Sequence, residues 1–160
     1  MQLVAPAALT AAHRVEAFEC THASLADWLR RRALRNHASG ASRCFVVCNG
    51  DHVVGYYALA AGSIEQARSP GNIRRNMPDP IPVLVLGRLA VHRDYAGLGI
   101  GAGLLKDAVL RSQRAAIDIG ARALLCHAID DAAKAFYVHH GFVASPIDAL
   151  TVMLKLEAAR

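Results

Sequence analysis

The stretch with the clearest chemical content is Ala96-Gly97-Leu98-Gly99-Ile100-Gly101. It follows an apolar, β-branched run, Val83 to Val91, that closes on His92, Arg93 and Asp94, which reads as a buried strand with a polar exit. From Gly101 the period changes. Leu104, Leu105, Ala108 and Val109 recur at helical spacing, with Lys106, Asp107, Arg111, Gln113 and Arg114 on the other positions. The glycines therefore sit where a helix begins to expose unpaired amides and the positive end of its dipole. Without Cβ atoms to hold an anion away, the guest expected there is a phosphate or pyrophosphate. The G-x-G-x-G spacing lies mid-chain and does not match the G-x-G-x-x-G fingerprint of dinucleotide-binding βαβ units.

The elements around this block are legible from pattern. Leu3 to Ala8 reads as an opening strand or extended arm, and Thr10 to Glu16 as a polar connection. With Ser24 as N-cap, a helix is expected to about His37, its Leu25, Trp28, Leu29 and Ala33 on one face and Arg30, Arg31 and Arg35 opposite, with Arg32 near the edge. Arg43–Cys48 and His52–Ala60 flank Asn49-Gly50, a hairpin signal. Ala61 to Pro82 lacks periodicity, carries Arg74 and Arg75, and has Pro78, Pro80 and Pro82 stiffening its end. Ala123–Ile129 reads as a second buried strand, and Asp130–His140 as a helix closed by Gly141. Phe142–Ala144 and Leu150–Leu156 complete the set around a Ser145-Pro146 turn. The order suits one mixed α/β sheet flanked by helices, a single domain spanning residues 1–160.

Composition narrows the function classes. No apolar run approaches the roughly 20 residues of a membrane span. The start, MQLVAPAALTAAH, lacks a basic head and a long apolar centre, so a cytoplasmic location without membrane contact is expected. The four cysteines show no C-x-x-C spacing and read as reduced thiols, with no metal site expected. Eighteen Lys and Arg against 13 Asp and Glu give a formal charge of +5, which fits a polyanionic partner.

The block GRLAVHRDYAGLGIGAGLL resembles the acetyl-coenzyme A binding core of the GNAT family of N-acetyltransferases, whose pattern Q/R-x-x-G-x-G/A falls on Ala96 to Gly101. Ala96 stands where the family has Gln or Arg, which removes one side-chain contact and leaves the amides. The resemblance implies that Ala96, Gly97, Leu98, Gly99, Ile100 and Gly101 hold pyrophosphate. It also implies a core strand splayed from its neighbour, so that Leu89, Ala90 and Val91 pair with the pantetheine arm and polarise the thioester. Tyr137, in Lys134-Ala135-Phe136-Tyr137, matches the family tyrosine that protonates the departing thiolate, a task suited to a phenol whose usual pKa of about 10 keeps it protonated. His127, His139 and His140 read as structural or helix-end residues, and no carboxylate stands out as a general base.

A missing base favours an acceptor amine of depressed basicity. The α-amine of an aminoacyl ester is such a group, whereas a lysine side chain, near 10.4, needs more help. The segments WLRRRALRNHASGASRCFVV, VVGYYALAAGSIE, RRNMPDPIPVLVLGRLAV and AKAFYVHHGFVASP are similar to the GNAT toxins of type II toxin-antitoxin systems. That branch implies acetylation of the amino acid on charged tRNA, a block on translation, a homodimer, and neutralisation by a small ribbon-helix-helix antitoxin through which alone DNA is met. On this resemblance Arg30, Arg31, Arg32, Arg35, Arg74 and Arg75 are the candidate RNA contacts. An acetyltransferase of small amines or protein amino groups, and a binding module that acts only in complex with protein and DNA, are the alternatives.

Overall fold

The computed structural model describes residues 2–157. Its elements in chain order are β1 (Ala7–Ala8), α1 (Ala23–Arg31), α2 (Ala33–Ser39), β2 (Arg43–Asn49), β3 (His52–Ile64), α3 (Gly71–Arg74), β4 (Ile81–Val91), α4 (Ile100–Asp118), β5 (Ala123–His127), α5 (Asp131–His139), β6 (Val143–Ala144) and β7 (Thr151–Lys155). The strands form one seven-stranded sheet ordered β1-β2-β3-β4-β5-β7-β6. β4 and β5 are parallel, as a connection through a helix permits, while β1–β2, β2–β3, β5–β7 and β6–β7 are antiparallel. The expected mixed α/β sheet is present.

The described residues divide into two compact units, residues 2–60 with 87–108, and residues 61–86 with 109–157. In the first, Leu9, Phe18, Ala26, Leu29, Ala33, Val46, Val53, Tyr56 and Ala90 form a continuous buried cluster. Trp28 packs against it and stacks on Tyr56, whose ring also meets Phe18 edge-on. The single helix expected over Ser24–His37 is two helices. The break falls at Arg32 (φ −126°, ψ −27°), and the N-cap is His22 rather than Ser24, with no side-chain cap. The bend keeps Ala33 in the core and turns α2 so that His37 Nδ1 accepts from the Cys44 amide of β2 at 3.0 Å. Burial, with Arg43 second, lowers the His37 pKa and favours this neutral acceptor.

The β2–β3 hairpin closes one residue later than the Asn49-Gly50 signal implies. Asn49 pairs with His52, so Gly50 (φ +65°) and Asp51 make the turn. The opening strand is reduced to Ala7–Ala8, with Leu3 forming an isolated bridge to Asn49.

In the second unit Ile64, Ile73, Ile81, Val83, Ala123, Leu125 and Met153 make the core. The aperiodic stretch is shorter than expected, because β3 runs to Ile64 and β4 starts at Ile81. What remains is well tied. Arg68 forms an ion pair with Asp148, its Nε donating at 2.7 Å, and Arg122 donates to the carbonyls of Ile73 and Asn72 at 3.0 and 3.1 Å. Among the described residues no helix is long and apolar enough to cross a membrane.

At Gly55 of β3 the side chains of α4 press close on the strand: a Cβ there would lie 3.0 Å from Ile100 Cγ2 and from Leu104 Cδ1. Gly55→Val is expected to lower the melting temperature by roughly 3–10 °C in a calorimetric scan, an overpacking effect. An unchanged melting temperature would contradict this packing.

Candidate active site

In the first unit, β4 leads into the glycine loop through a pinned exit. The His92 amide donates to the Val54 carbonyl at 2.8 Å. The His92 ring lies between two backbone groups, with Nδ1 accepting from the Asp94 amide and Nε2 against the Ala17 carbonyl, both at 3.1 Å. An acceptor at Nδ1 and a donor at Nε2 define a single neutral tautomer. The Arg93 amide donates to the Glu19 carbonyl at 2.9 Å, and the two side chains form an ion pair.

Beyond a short 3₁₀ turn at Arg93–Tyr95, the backbone at Gly97 (φ +78°) and Gly99 (φ +81°) is left-handed. This costs roughly 1–2 kcal/mol per residue with any Cβ present, so the two glycines are needed for their conformation. A Cβ at either would meet nothing within 4 Å, so the loop borders open space. α4 then starts at Ile100, and the Gly103 amide closes its first turn on the Gly99 carbonyl at 3.1 Å. Gly101 lies within that turn and has no positive φ, so its contribution is a first-turn amide. Ala96, Gly97, Leu98 and Gly99 are exposed, while Ile100 is buried against β3. α4 is further fixed by Tyr57 donating to Asp107. Leu89, Ala90 and Val91 form the end of β4. The parallel register with β5 covers Val83–Val85 against Ala123–Leu125, so those three residues lie beyond the paired stretch.

In the second unit, Tyr137 lies on α5. Asp130 caps this helix by accepting from the Ala133 amide at 2.8 Å, and Gly141 (φ +95°) closes it. The Tyr137 ring is buried between Phe136 and Phe142, with centroids 5.3 and 5.4 Å away. Its hydroxyl faces the Cys126 thiol of β5, and the two groups interact electrostatically. Burial, reinforced by Cys126, pushes the Tyr137 pKa well above the usual tyrosine value. Burial also raises the Cys126 thiol to about 11, against a lowering by the Tyr137 hydroxyl. Both groups therefore carry their protons at neutral pH. His139 and His140 are exposed at the helix end, the latter with Nδ1 2.8 Å from the Phe136 carbonyl, and His127 Nδ1 is 2.9 Å from Thr151 Oγ1.

The candidate arginines divide. Arg30 is partly buried and committed to Asp27 at 2.7 Å and to the Phe18 carbonyl. Arg31, Arg32 and Arg35 are exposed around the α1–α2 break, and Arg74 and Arg75 are exposed at the end of α3. Two residues escape the sequence reading. Cys126 lies in a strand buried at four successive positions, so nothing in its pattern sets it apart. Arg88 is a charged residue within an apolar strand, an anomaly that the sequence does display. No group of three or more His, Cys, Asp or Glu able to hold a metal ion occurs among the described residues.

The sequence pattern of the acetyltransferase (GNAT) domain matches residues 40–144. A protein of Mycobacterium tuberculosis named tRNA-acetylating toxin is 53% identical over 156 residues, 98% of this chain and 94% of its own length. The structure of AtaT complexed with acetyl-methionyl-tRNAfMet superposes with a TM-score of 0.89 at 26% identity, over 96% of this chain and 95% of that one. A tyrosine-to-phenylalanine mutant of AtaT, bound to the C-terminus of the antitoxin AtaR and to acetyl-CoA, gives 0.81 at 25% identity, over 97% and 94%.

Gly99→Ala should weaken acetyl-CoA binding by about 10-fold in calorimetric titration, because the left-handed turn that aims the amides is lost. Gly103→Ala, at a helical position where a Cβ meets nothing within 4 Å, should bind as the parent does. Equal affinities in all three proteins would contradict the loop's role.

Proposed function

Because the chain belongs to the GNAT family of acetyltransferases, we propose that it transfers acetyl from acetyl-CoA to the α-amino group of aminoacyl-tRNA and so blocks translation, as the toxin of a type II toxin-antitoxin pair. The observation that carries this reading is the 53% identity with a tRNA-acetylating toxin across 98% of the chain. The left-handed glycine turn ahead of α4 supports it independently, as a cradle for the donor's pyrophosphate.

The roles follow from the groups present. Amides from Gly97 to Gly101 and the start of α4 hold the pyrophosphate. Leu89, Ala90 and Val91 offer the end of β4 to the pantetheine arm as to an added strand, and an amide there polarises the thioester carbonyl and then stabilises the tetrahedral oxyanion. The neutral acceptor amine attacks that carbonyl and forms the C–N bond. The intermediate collapses with cleavage of the C–S bond, the amine's extra proton passes to solvent, and Tyr137 gives its proton to the coenzyme A thiolate. A phenol whose pKa is raised by burial is fully protonated when the thiolate departs, which fits a donor rather than a base.

On the family resemblance, the reading treats residues 1–160 as one cytoplasmic domain that works as a homodimer. A small ribbon-helix-helix antitoxin neutralises it and is its only link to DNA. Arg31, Arg32, Arg35, Arg74 and Arg75, all exposed, would grip tRNA phosphates, with Arg30 contributing less because Asp27 and Phe18 already engage it.

The test is transfer of labelled acetyl to a pool of charged tRNAs. Wild-type protein should label the aminoacyl group, and Tyr137→Phe should lower kcat by about 10²–10⁴-fold while still binding acetyl-CoA. Because the Tyr137 pKa moves up, no falling limb from this residue should appear at alkaline pH, and kcat/KM should rise with pH as the acceptor amine loses its proton. Label on small amines or proteins alone, with none on charged tRNA, would replace the acceptor in this reading.

A further inference from the structure

Arg88 differs from the other structured arginines of the chain. Its guanidinium lies over the Trp28 ring, 4.8 Å from the centroid. Trp28 stacks on Tyr56 with centroids 5.8 Å apart and planes at 14°, and Tyr56 is fully buried, its hydroxyl donating to the Leu25 carbonyl at 2.6 Å. The stack has one end fixed in the core and a cation at the other.

Arg30, Arg68, Arg93 and Arg122 each donate to a carboxylate or a carbonyl. Arg88 is partly buried and, among the described residues, meets the Trp28 ring with Tyr56 behind it and no carboxylate or hydrogen-bond acceptor. A guanidinium carries five donors in a rigid fork that matches two oxygens of one phosphate, and a ring that holds its plane pre-organises the fork. A surface arginine would have to be ordered on binding; this one is already ordered.

We propose that Arg88 binds the acceptor at the phosphodiester nearest the amino acid, which rests on the reading of charged tRNA as acceptor. Arg88 adjoins Leu89–Val91, the segment assigned to the thioester, and a strand advances only about 3.3 Å per residue. The reacting amine and that phosphate are joined through one aminoacyl group and one ribose, a span that an arginine side chain on the neighbouring residues can match. The exposed arginines contact phosphates along the RNA, whereas Arg88 sets how far the amine reaches toward the donor. It thus acts on the last step of acceptor placement.

The test compares two aminoacyl-adenosine mimics with the amino acid in amide linkage, one ending at the nucleoside and one carrying the phosphodiester to a preceding cytidine, alongside charged tRNA. Wild type should prefer the phosphodiester mimic by about 10-fold or more in kcat/KM, the scale of one charge-assisted bidentate contact. Arg88→Ala should abolish that preference, leave the nucleoside mimic within about 2-fold, and cost about 10–100-fold on charged tRNA, mainly in KM. Arg88→Lys keeps the stem and the charge without the fork. It should lose most of the preference, and it decides the matter should Arg88→Ala melt early. A preference retained in the variants, equal losses on both mimics, or no preference in the wild type, inactivity on both mimics included, would overturn the assignment. Wild type that binds acetyl-CoA yet acetylates neither charged tRNA nor either mimic would instead remove the acceptor reading, and this assignment with it.

Discussion

Two residues with positive φ, Gly97 and Gly99, constrain everything around them. A left-handed turn of this kind aims its amides only if both its ends are held, because a floating loop would lose the gain to conformational entropy. The His92 ring and the Val54 carbonyl hold the strand end, and Ile100, seated over Gly55, holds the helix start. β3 supplies both Val54 and Gly55. The bare backbone at position 55 and the carbonyl beside it therefore set where the loop can sit. On the proposed function Ala96 is tolerable for the same reason, since the anion would meet main chain and the missing Gln or Arg would remove one contact among several.

The result is a division of labour between main chain and side chains. The donor is the same molecule in every turnover, so fixed amides and a strand end suit it. On the proposed function the acceptor would differ from one charged tRNA to the next, and what is common to all of them is the phosphate backbone, for which arginines would provide charge without reading sequence. Tyr137 stands apart from both roles. Buried beside Cys126 and two phenylalanines, it holds its proton more tightly than a free phenol.

Wherever one local signal dominated, the fold was legible in the sequence. The β-branched run of β4, the glycine loop, the amphipathic start of α4 and the span of α5 with its close at Gly141 all lie within a residue or two of expectation. The departures come from tertiary contacts that leave no local trace. The bend at Arg32 has neither glycine nor proline to announce it and exists because Ala33 and His37 must both reach the core side of β2. The 65–80 stretch has no periodicity, yet the Arg68–Asp148 pair and the Arg122 donors order it across 80 and about 50 residues of sequence. Of the candidate site residues, the loop glycines and Tyr137 stand out by spacing and resemblance. Cys126 does not, because the three residues before it in its strand are as buried as it is. Arg88 was visible as a charge inside an apolar strand, and only the ring beneath it gives that charge a purpose.

Binding of the donor by main-chain amides, on which the proposed function depends, is measured residue by residue by amide hydrogen exchange with and without saturating acetyl-CoA. Protection gained at Leu89–Val91 and at Gly97–Gly101, with the exposed arginine segments at 31–35 and 74–75 unchanged, is the predicted pattern. Binding that leaves the loop and strand amides exchanging as before would contradict it, and would move the donor site elsewhere on the protein.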